Sequence, residues 1–466
     1  MQNLGPVMDT LHLPPEFASR MRNLLGGDDY ERFIQSLSDA PAASIRINPD
    51  KACDLQLPQR IPWAVHGTYL TDRPVFTLDP RFHAGAYYVQ EASSMFLEQA
   101  LLQHADLSKP LNVLDLCAAP GGKSTHLLAL LNPDSLLVAN EAIKTRAPVL
   151  EENLEKWGHC NAVVCRNDPA DLQRLPEFFD VVVVDAPCSG EGLFRKDVKA
   201  RQLWSPGNVT QCAARQKRIL ADVWPSLKAG GILIYSTCTL NMNENEENVQ
   251  WLARTYDAES LPLSIDTSWG IVHSQQHNIS GYRFYPHKAK GEGFFLAVLR
   301  KTTSPGHRGR RKSKFTLMKP AKESLEKLTA WIDKPERKHF FVHRDQLRFT
   351  TAHKSADVEH VIQELRPLVV GTAAAALKHG KLVPEHSLAL SLSLRRDSVN
   401  EIELDEASAL RLLRKEQVDI SSVSQGFALV TFKGVALGWV NILPGRVNNL
   451  YPSHRRIRMG LPGNGL

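Results

Sequence analysis

The 466-residue sequence predicts an α/β protein built around a doubly wound domain with a parallel sheet. Between residues 111 and 300, short apolar runs alternate with segments of helical periodicity, as expected for strands joined by crossover helices. Several of these runs are continuous in Val, Ile and Leu, which is typical of strands buried on both faces. A glycine-rich turn connects the first run to a helical segment, as in sheets that bind ligands beyond their strand ends.

The strands and helices of this domain follow in order from that alternation. The apolar runs predict strands at residues 112–116, 136–140, 162–166, 181–185, 232–237 and 294–299. Segments with apolar residues three to four positions apart predict helices at residues 124–131, 144–157, 210–227 and 244–256. We assign residues 106–300 to this domain.

Residues 1–105 are predicted to form a small α+β lobe beside the main sheet. A helix with a Pro-Pro start is expected at residues 13–26, and a short strand at residues 44–48. The N-terminus has neither the basic nor the apolar region of a secretion signal, and no run approaches the ~20 apolar residues of a membrane span. We therefore expect a cytoplasmic protein without membrane association.

The chain changes character after residue 300. Residues 301–322 carry eight positive charges and no negative one, a composition that favours a flexible, solvated linker and would also suit a polyanion backbone. Residues 323–383 are expected to form a middle domain with helices at 323–331 and 357–365. In residues 384–466, short β-rich runs broken by Gly and Asn predict a compact barrel. This last part ends in three closely spaced cations, Arg455, Arg456 and Arg458.

The distribution of charge says more than the net charge of +6. Residues 1–300 hold 28 Lys and Arg against 34 Asp and Glu, whereas residues 301–466 hold 28 against 16. An acidic first part joined to a basic second part suggests chemistry in one and anion binding in the other. The seven cysteines are odd in number and include no Cys-x-x-Cys pair, which argues against a disulfide framework or a zinc site. We expect no metal.

The first motif is the turn that follows the first predicted strand, in the sequence Asn-Val-Leu-Asp-Leu-Cys-Ala-Ala-Pro-Gly-Gly-Lys-Ser-Thr. Its glycines allow a ligand close to the backbone, and the helix that follows offers free N–H groups. A P-loop would need a Gly five residues before Gly122, where the sequence has Cys117, so a nucleoside triphosphatase is disfavoured. The residues expected to hold the ligand are Cys117, Ala118, Ala119, Pro120, Gly121, Gly122 and Lys123.

Acidic residues follow the next two predicted strands. Glu141 comes about 20 residues after the glycines, where a ribose-binding carboxylate is expected. Asp168 follows the third strand and could meet an adenine amino group. Together with the glycine turn they describe an adenosine pocket without a polyphosphate site. This pattern favours S-adenosylmethionine over NAD as the cofactor.

Two cysteines follow the fourth and fifth predicted strands, in Asp-Ala-Pro-Cys-Ser-Gly-Glu-Gly around Cys188 and in Tyr-Ser-Thr-Cys-Thr around Cys238. A thiolate is nucleophilic near neutral pH and is also a good leaving group. Carbon 5 of cytosine becomes nucleophilic only after a group adds to carbon 6, so this chemistry needs such a thiolate. The chemistry alone leaves the two cysteines equivalent.

An acid must also meet N3 of the ring while charge develops there, and Asp185 is the candidate. Lys123 could steady the base or the Asp185 charge, although a solvent-facing helix lysine is the alternative. The aromatic rings of Tyr282, Phe284 and Tyr285 could stack on a base; ordinary core packing is the alternative for them.

The series Ser-Ile-Arg-Ile-Asn (residues 44–48), Gln90-Glu91, the glycine turn, the two cysteine motifs and residues 282–297 resembles the RNA cytosine-5 methyltransferase family of Nol1/Nop2/Sun type. The resemblance implies a Rossmann-like, S-adenosylmethionine-dependent methyltransferase with a C-terminal PUA-like barrel. It also implies that Cys238 attacks the base and that Cys188 is needed to release the methylated product.

The resemblance is greatest to bacterial members that act on 16S ribosomal RNA, which implies this RNA, within the small subunit, as the substrate. We expect a monomeric enzyme. Methylation of transfer RNA or DNA, or a non-catalytic role in ribosome assembly, are the alternatives. DNA cytosine methyltransferases also use Pro-Cys and Glu-Asn-Val motifs. This chain has a Glu-Asn-Val at residues 247–249, which we interpret as a coincidence within a Glu/Asn-rich helix start.

Overall fold

The computed structural model describes residues 12–55, 57, 59–276, 278–303, 316–378, 381–420 and 424–460. Most of the predicted basic linker, residues 304–315, lies outside the described residues. Four sheets organise the described chain, and the largest of them carries the strand ends that the sequence singled out.

The N-terminal lobe contains a four-stranded sheet of order β2-β3-β1-β4. Its helices are amphipathic and bury an aromatic cluster built on Phe17 and Phe33. Its elements are α1 (Pro15–Leu25), α2 (Gly27–Ser36), β1 (Ser44–Ile47), β2 (Gln59–Arg60), β3 (Gly67–Tyr69), α3 (Pro80–His83), β4 (Tyr87–Val89) and α4 (Leu97–His104).

The core domain supplies most of a ten-stranded sheet of order β11-β12-β13-β9-β8-β5-β6-β7-β16, with β10 beside β13. Strands β7, β6, β5, β8 and β9 are parallel, and the strands beyond β9 are antiparallel. Its elements are β5 (Asn112–Asp115), α5 (Gly122–Leu130), β6 (Leu136–Asn140), α6 (Ala147–Trp157), β7 (Ala162–Cys165), β8 (Phe179–Asp185), α7 (Val198–Leu203), α8 (Pro206–Val223), β9 (Leu227–Thr237), α9 (Glu246–Tyr256), β10 (Ala258–Ser260), β11 (Val272–Gln276), β12 (Ile279–Phe284) and β13 (Phe294–Lys301).

The strand order reverses at β5, which has β6 on one side and β8 on the other. In doubly wound folds, ligands bind beyond the strand ends at such a switch point. Strands β5, β6 and β7 are buried along their whole length. That burial explains why their sequences are continuous in apolar residues rather than alternating.

The middle segment contains five strands that the sequence analysis did not predict. Four of them form the sheet β14-β15-β17-β18, while β16 pairs antiparallel with β7 and extends the core sheet. The elements are α10 (Lys322–Thr329), β14 (Lys338–His343), β15 (Gln346–Thr351), α11 (Ser355–Glu364), β16 (Pro367–Val370), β17 (Thr372–Lys378), β18 (Lys381–Pro384) and α12 (His386–Leu390).

The C-terminal segment forms a four-stranded sheet of order β19-β20-β21-β22, packed on the N-terminal lobe. Helix α13 begins after Asp405, whose carboxylate accepts a hydrogen bond from the Ser408 amide and caps the helix. The elements are β19 (Asn400–Glu403), α13 (Glu406–Leu413), β20 (Gly426–Phe432), β21 (Val435–Leu443) and β22 (Arg446–Asn449).

The six predicted core strands are all present, and none of their ends differs from the prediction by more than five residues. The proposal that Tyr282, Phe284 and Tyr285 stack on a substrate base is wrong. All three are at most 3% exposed, and Tyr282 and Phe284 pack against Phe96 in the core. Within the described ranges, no helix combines the length and the apolar character that crossing a membrane requires.

Candidate active site

The turn after β5 begins the site. Gly121 has a φ of +114°, which favours glycine, and helix α5 begins at the next residue. Asp115 ends the strand, and its Oδ2 accepts a hydrogen bond from Ser124 Oγ at 2.6 Å. Asn153 Nδ2 donates to the Pro120 carbonyl at 2.8 Å and holds the turn from α6. The turn is therefore a rigid cradle whose backbone stays open to a ligand.

Lys123 faces the neighbouring strand end rather than solvent, with its side chain only 10% exposed. Its Nζ lies 2.8 Å from Asp185 Oδ2 and 5.2 Å from the centre of the Phe294 ring. Ser236 Oγ donates to Asp185 Oδ1 at 2.9 Å. Both carboxylate oxygens of Asp185 are thus fixed, while 37% of its side chain remains exposed.

Cys188 and Cys238 lie together at the ends of β8 and β9, with their sulfur atoms 3.2 Å apart. The hydrogen bond between the thiols and burial raise the pKa of Cys188 well above its usual range. Neither cysteine forms a disulfide. If the Cys238 sulfur attacks a bound molecule, the Cys188 thiol lies within contact distance of the attacking atom.

Glu244, which the sequence analysis did not single out, ties the two cysteine loops together. Its carboxylate accepts hydrogen bonds from the Ser189 amide at 3.0 Å, Gln216 Nε2 at 2.7 Å and Asn241 Nδ2 at 2.7 Å. Asn241 Nδ2 also donates to Thr239 Oγ1, next to Cys238. Burial raises the pKa of Glu244, because a charged carboxylate is disfavoured away from water.

Two glycines let the cysteine loops approach the start of β13. A Cβ on Gly192 would lie 2.1 Å from the Gly293 carbonyl oxygen and 2.8 Å from the Cys238 carbonyl oxygen. A Cβ on Gly293 would lie 2.8 Å from the Gly192 Cα. The spacing of glycines in the two motifs is therefore a packing requirement of the site.

A cavity of about 420 Å³ opens above these strand ends, within the size range of small-molecule sites. It brings together eight of the residues predicted for the site. They are Cys117, Ala118, Ala119, Pro120, Gly122, Lys123, Asp185 and Cys238.

Four predicted residues lie outside the lining of this cavity: Gly121 inside the turn, Cys188 behind Cys238, and the two acidic residues Glu141 and Asp168. Glu141 is 3% exposed, and its Oε2 has no hydrogen bond; Arg146 Nη1 lies 3.5 Å away. The Asp168 side chain is 55% exposed and caps the following turn by accepting from the Ala170 amide. Their cofactor roles stay predictions.

The sequence analysis gave no role to several residues that complete the cavity wall. Most of them come from the N-terminal lobe and from the start of β13. Half of the set lies in Gln90-Glu91 or in residues 282–297, two motifs that carried the family resemblance without an assigned role. They are Tyr88, Val89, Gln90, Glu91, Ser94, Leu193, Lys196, Glu292, Gly293 and Phe294.

Buried Arg46 holds one side of this wall. Its Nε donates to Gln90 Oε1 at 2.8 Å, and its Nη2 donates to Thr125 Oγ1 at 2.6 Å, so it links the lobe to α5. Burial lowers the pKa of Arg46 to about 9. In the part of the chain that the structure describes, no cluster of three His, Cys, Asp or Glu side chains is placed to hold a metal ion.

Comparison with known families gives the context for this site. A family model described as 16S rRNA methyltransferase RsmB/F matches residues 102–300. Models of the N-terminal domain of 16S rRNA methyltransferase RsmF and of the methyltransferase RsmF PUA domain match residues 13–92 and 399–457. Over these three segments the chain is similar to 16S rRNA methyltransferases of the RsmB/F type.

The match confirms the predicted fold class, a Rossmann-like fold of S-adenosylmethionine-dependent methyltransferases with a C-terminal PUA domain. Ribosomal RNA small subunit methyltransferase F of Pectobacterium atrosepticum is 36% identical over 63% of this chain. That alignment also spans 63% of the relative, just under two thirds of its length. The enzyme of the same name from Vibrio parahaemolyticus is 29% identical over 95% of this chain and 97% of its own.

Solved structures resemble part of this chain. A methyltransferase homologue from Pyrococcus horikoshii is 30% identical, with a TM-score of 0.52, and covers 62% of this chain and 96% of its own. NSun6 from Pyrococcus horikoshii with SFG is 22% identical, with a TM-score of 0.51, and covers 62% of this chain and 99% of its own. The latter likeness concerns the fold alone.

Proposed function

We propose that this protein methylates carbon 5 of a specific cytosine in 16S rRNA, with S-adenosylmethionine as the methyl donor. The observation that carries the proposal is the pair of cysteine sulfurs 3.2 Å apart, one of which lines the cavity beside the glycine turn. The match of residues 102–300 to the RsmB/F family model supports the RNA substrate. We further propose that it acts in the cytoplasm, as a monomer, on the small ribosomal subunit.

The residues at the strand ends fit the cofactor. The cavity reaches the open turn of residues 117–122, and the Glu141 carboxylate has a buried oxygen without a hydrogen bond, suited to a ribose hydroxyl. Asp168 would meet the adenine amino group. When bound, S-adenosylmethionine supplies an electrophilic methyl group on a sulfonium. Side chains of this protein carry out the attack on the base, its positioning and the release of the product.

Cys238 begins the reaction, because its thiolate lines the cavity and can add to carbon 6 of a cytosine placed there. A bond forms between sulfur and carbon 6, and the electron pair of the ring's 5,6 double bond becomes available at carbon 5. Asp185, which also lines the cavity, would meet the N3 edge of the ring as charge develops there. Lys123 Nζ, 2.8 Å from Asp185 Oδ2, keeps that carboxyl in place.

Cys188 completes the reaction after carbon 5 carries the methyl group. Loss of the carbon-5 proton to solvent water leaves its electron pair to restore the 5,6 double bond, and the bond between carbon 6 and the Cys238 sulfur breaks, so no covalent bond to the enzyme remains. Cys188 lies beside Cys238, and its raised pKa keeps it a thiol while Cys238 attacks. Cys238 lines the cavity and Cys188 does not, which supports Cys238 as the nucleophile and Cys188 as the residue needed for release.

Two cysteine variants test this division of roles. Cys238→Ala is expected to abolish methyl transfer, and Cys188→Ala to accumulate a covalent enzyme–RNA adduct that survives a denaturing gel. Cys212→Ala is the matched control, since Cys212 is buried in α8 outside the cavity. An adduct with the Cys238 variant instead would reverse the two roles. Cofactor binding without transfer to RNA or DNA would point to an assembly factor.

A further inference from the structure

Residues 193–203, which we call the rim segment, border the catalytic cavity with an unusual surface. Leu193 and Lys196 line the cavity on the side of Cys238. Helix α7, which ends the segment, buries none of its residues. Ala200 packs against the aromatic cluster built on Phe17 and Phe33, and the remaining side chains of the helix are free to contact a partner.

The exposed side chains of the rim segment are apolar to a degree that is rare on this protein. Leu193, Val198 and Leu203 are 37%, 43% and 76% exposed. Among the described residues only thirteen large apolar side chains are exposed, and these eleven positions hold three of them. Single exposed leucines are ordinary, whereas a group at the mouth of an active site indicates an interaction surface.

The backbone under these side chains is firmly anchored, so their placement is fixed. Phe194 is fully buried and packs on Phe17, with ring centres 4.8 Å apart. Arg195 pairs with Glu292 at 2.8 Å and donates to the Gly291 carbonyl. At the far end, Trp204 Nε1 donates to Glu191 Oε1 at 3.0 Å.

The charge of the rim segment identifies the partner's chemistry. The segment carries only one acidic residue, Asp197, against the cations Lys196, Lys199 and Arg201. The Asp197 carboxylate already caps α7 by accepting a hydrogen bond from the Lys199 amide. Cations interleaved with aliphatic side chains suit a nucleic acid strand, whose phosphates need the cations and whose bases need apolar contact. Lys196 Nζ already lies 3.1 Å from Glu292 Oε1, so Lys199 and Arg201 are the cations that remain for the phosphates of a partner.

We propose that the rim segment binds the RNA strand that flanks the target cytosine, and that Leu193 enters the gap left in the base stack when the cytosine turns into the cavity. This inference rests on the proposed function. Unstacking a base costs a few kcal/mol, and an apolar wedge inserted between bases offsets part of that cost. Leu193 is the apolar side chain of the segment that borders both the cavity and solvent. Lys199 would contact the phosphates next to it.

The wedge is tested with two synthetic RNA hairpins after the methylated cytosine has been mapped. One hairpin carries that cytosine between its native neighbours, and in the other both neighbours are abasic, so that no stack holds the cytosine. Leu193→Ala should slow single-turnover methyl transfer roughly tenfold on the native hairpin and less than about threefold on the abasic one. Leu193→Met should restore the rate, and Leu102→Ala, exposed on α4 outside the cavity, should leave both rates unchanged.

Equal slowing on both hairpins, or no slowing on either, would overturn the wedge. The binding surface has its own readout, which does not depend on methyl transfer. Lys199→Glu should weaken binding of the fluorescently labelled native hairpin about tenfold, whereas Lys109→Glu, an exposed control, should not. If the wild-type protein binds the hairpin without methylating it, the proposed function fails. The difference in hairpin binding between wild type and Lys199→Glu then still tests whether the rim segment binds RNA. Equal binding by wild type and Lys199→Glu, or no binding by wild type, refutes the surface.

Discussion

Asp115 is a fully buried carboxyl at the end of β5, and it predicts an unusual dependence of stability on pH. Its Oδ2 accepts one hydrogen bond from Ser124, whereas its Oδ1 has no partner. Burial raises the pKa of Asp115 from 3.8 to about 7, although Ser124 and Lys123 oppose the rise. At about 1.4 kcal/mol for each pKa unit, ionising this group in the folded protein costs on the order of 4 kcal/mol.

The direction in which stability changes with pH follows from proton binding by Asp115. Between pH 3.8 and about 7 the folded protein holds a proton on Asp115 that the unfolded chain has released, so this contribution to stability is complete at low pH and is lost as the pH rises. Asp115→Asn keeps the shape and an acceptor for Ser124 but cannot ionise. Roughly 2–3 kcal/mol of the change falls between about pH 5 and 8, where the variant should gain stability relative to wild type.

Urea denaturation of both proteins across this pH range measures the difference, and other titrating groups cancel because both proteins share them. Asp106→Asn is the control: Lys109 and Ser108 lower the pKa of this exposed carboxyl to about 2, so its contribution is already complete above pH 3.8 and its difference from wild type should not change between about pH 5 and 8. A difference between wild type and Asp115→Asn that stays constant with pH, or that favours wild type more as the pH rises, would refute the reasoning.

Three further substitutions test the packing and the polar network of the site. Gly192→Ala is expected to abolish methyl transfer, since its Cβ would lie 2.1 Å from a backbone oxygen, while Gly207→Ala, with 3.9 Å to the nearest atom, should leave single-turnover rates unchanged. Glu244→Leu removes the acceptor of three buried hydrogen bonds, of which the Ser189 amide has no other acceptor among the described residues while Gln216 and Asn241 keep theirs. An unpaired buried donor costs about 1–3 kcal/mol, so urea denaturation should show a loss of at least ~1 kcal/mol; wild-type stability would contradict the role of the network. Arg283→Met leaves Glu246 buried without its partner and should reduce the free energy of unfolding by about 3–5 kcal/mol, and a smaller loss would mean that water reaches the pair.

The parallel core and its catalytic edge could be predicted because each signal is local. A strand buried on both faces must be a continuous apolar run, and β5, β6 and β8 are. Because the carboxyl ends of such strands share one edge, Cys188 and Cys238 had to meet there, 50 residues apart in sequence. The turn, Asp185 and the cysteines were found for this reason.

Long-range packing and polar burial could not be read from local patterns. Strand β16 pairs with β7 across about 200 residues of sequence, and nothing in its four residues specifies that partner. Helix α2 begins at Gly27, directly after Gly26, where a glycine pair indicates a break rather than a helix start. Glu244 lies in a run of Asn and Glu that has the composition of an exposed surface, yet it is fully buried because the two cysteine loops close over it.

The central claim is that this protein transfers a methyl group to carbon 5 of a cytosine in 16S rRNA through Cys238. The most direct measurement follows labelled methyl from S-adenosylmethionine into small subunits and deproteinised 16S rRNA, both from a strain that lacks the protein, with nucleoside analysis of the product. The account predicts label in 5-methylcytosine with wild type and none with Cys238→Ala. Label in another nucleoside, or undiminished 5-methylcytosine with Cys238→Ala, would contradict it.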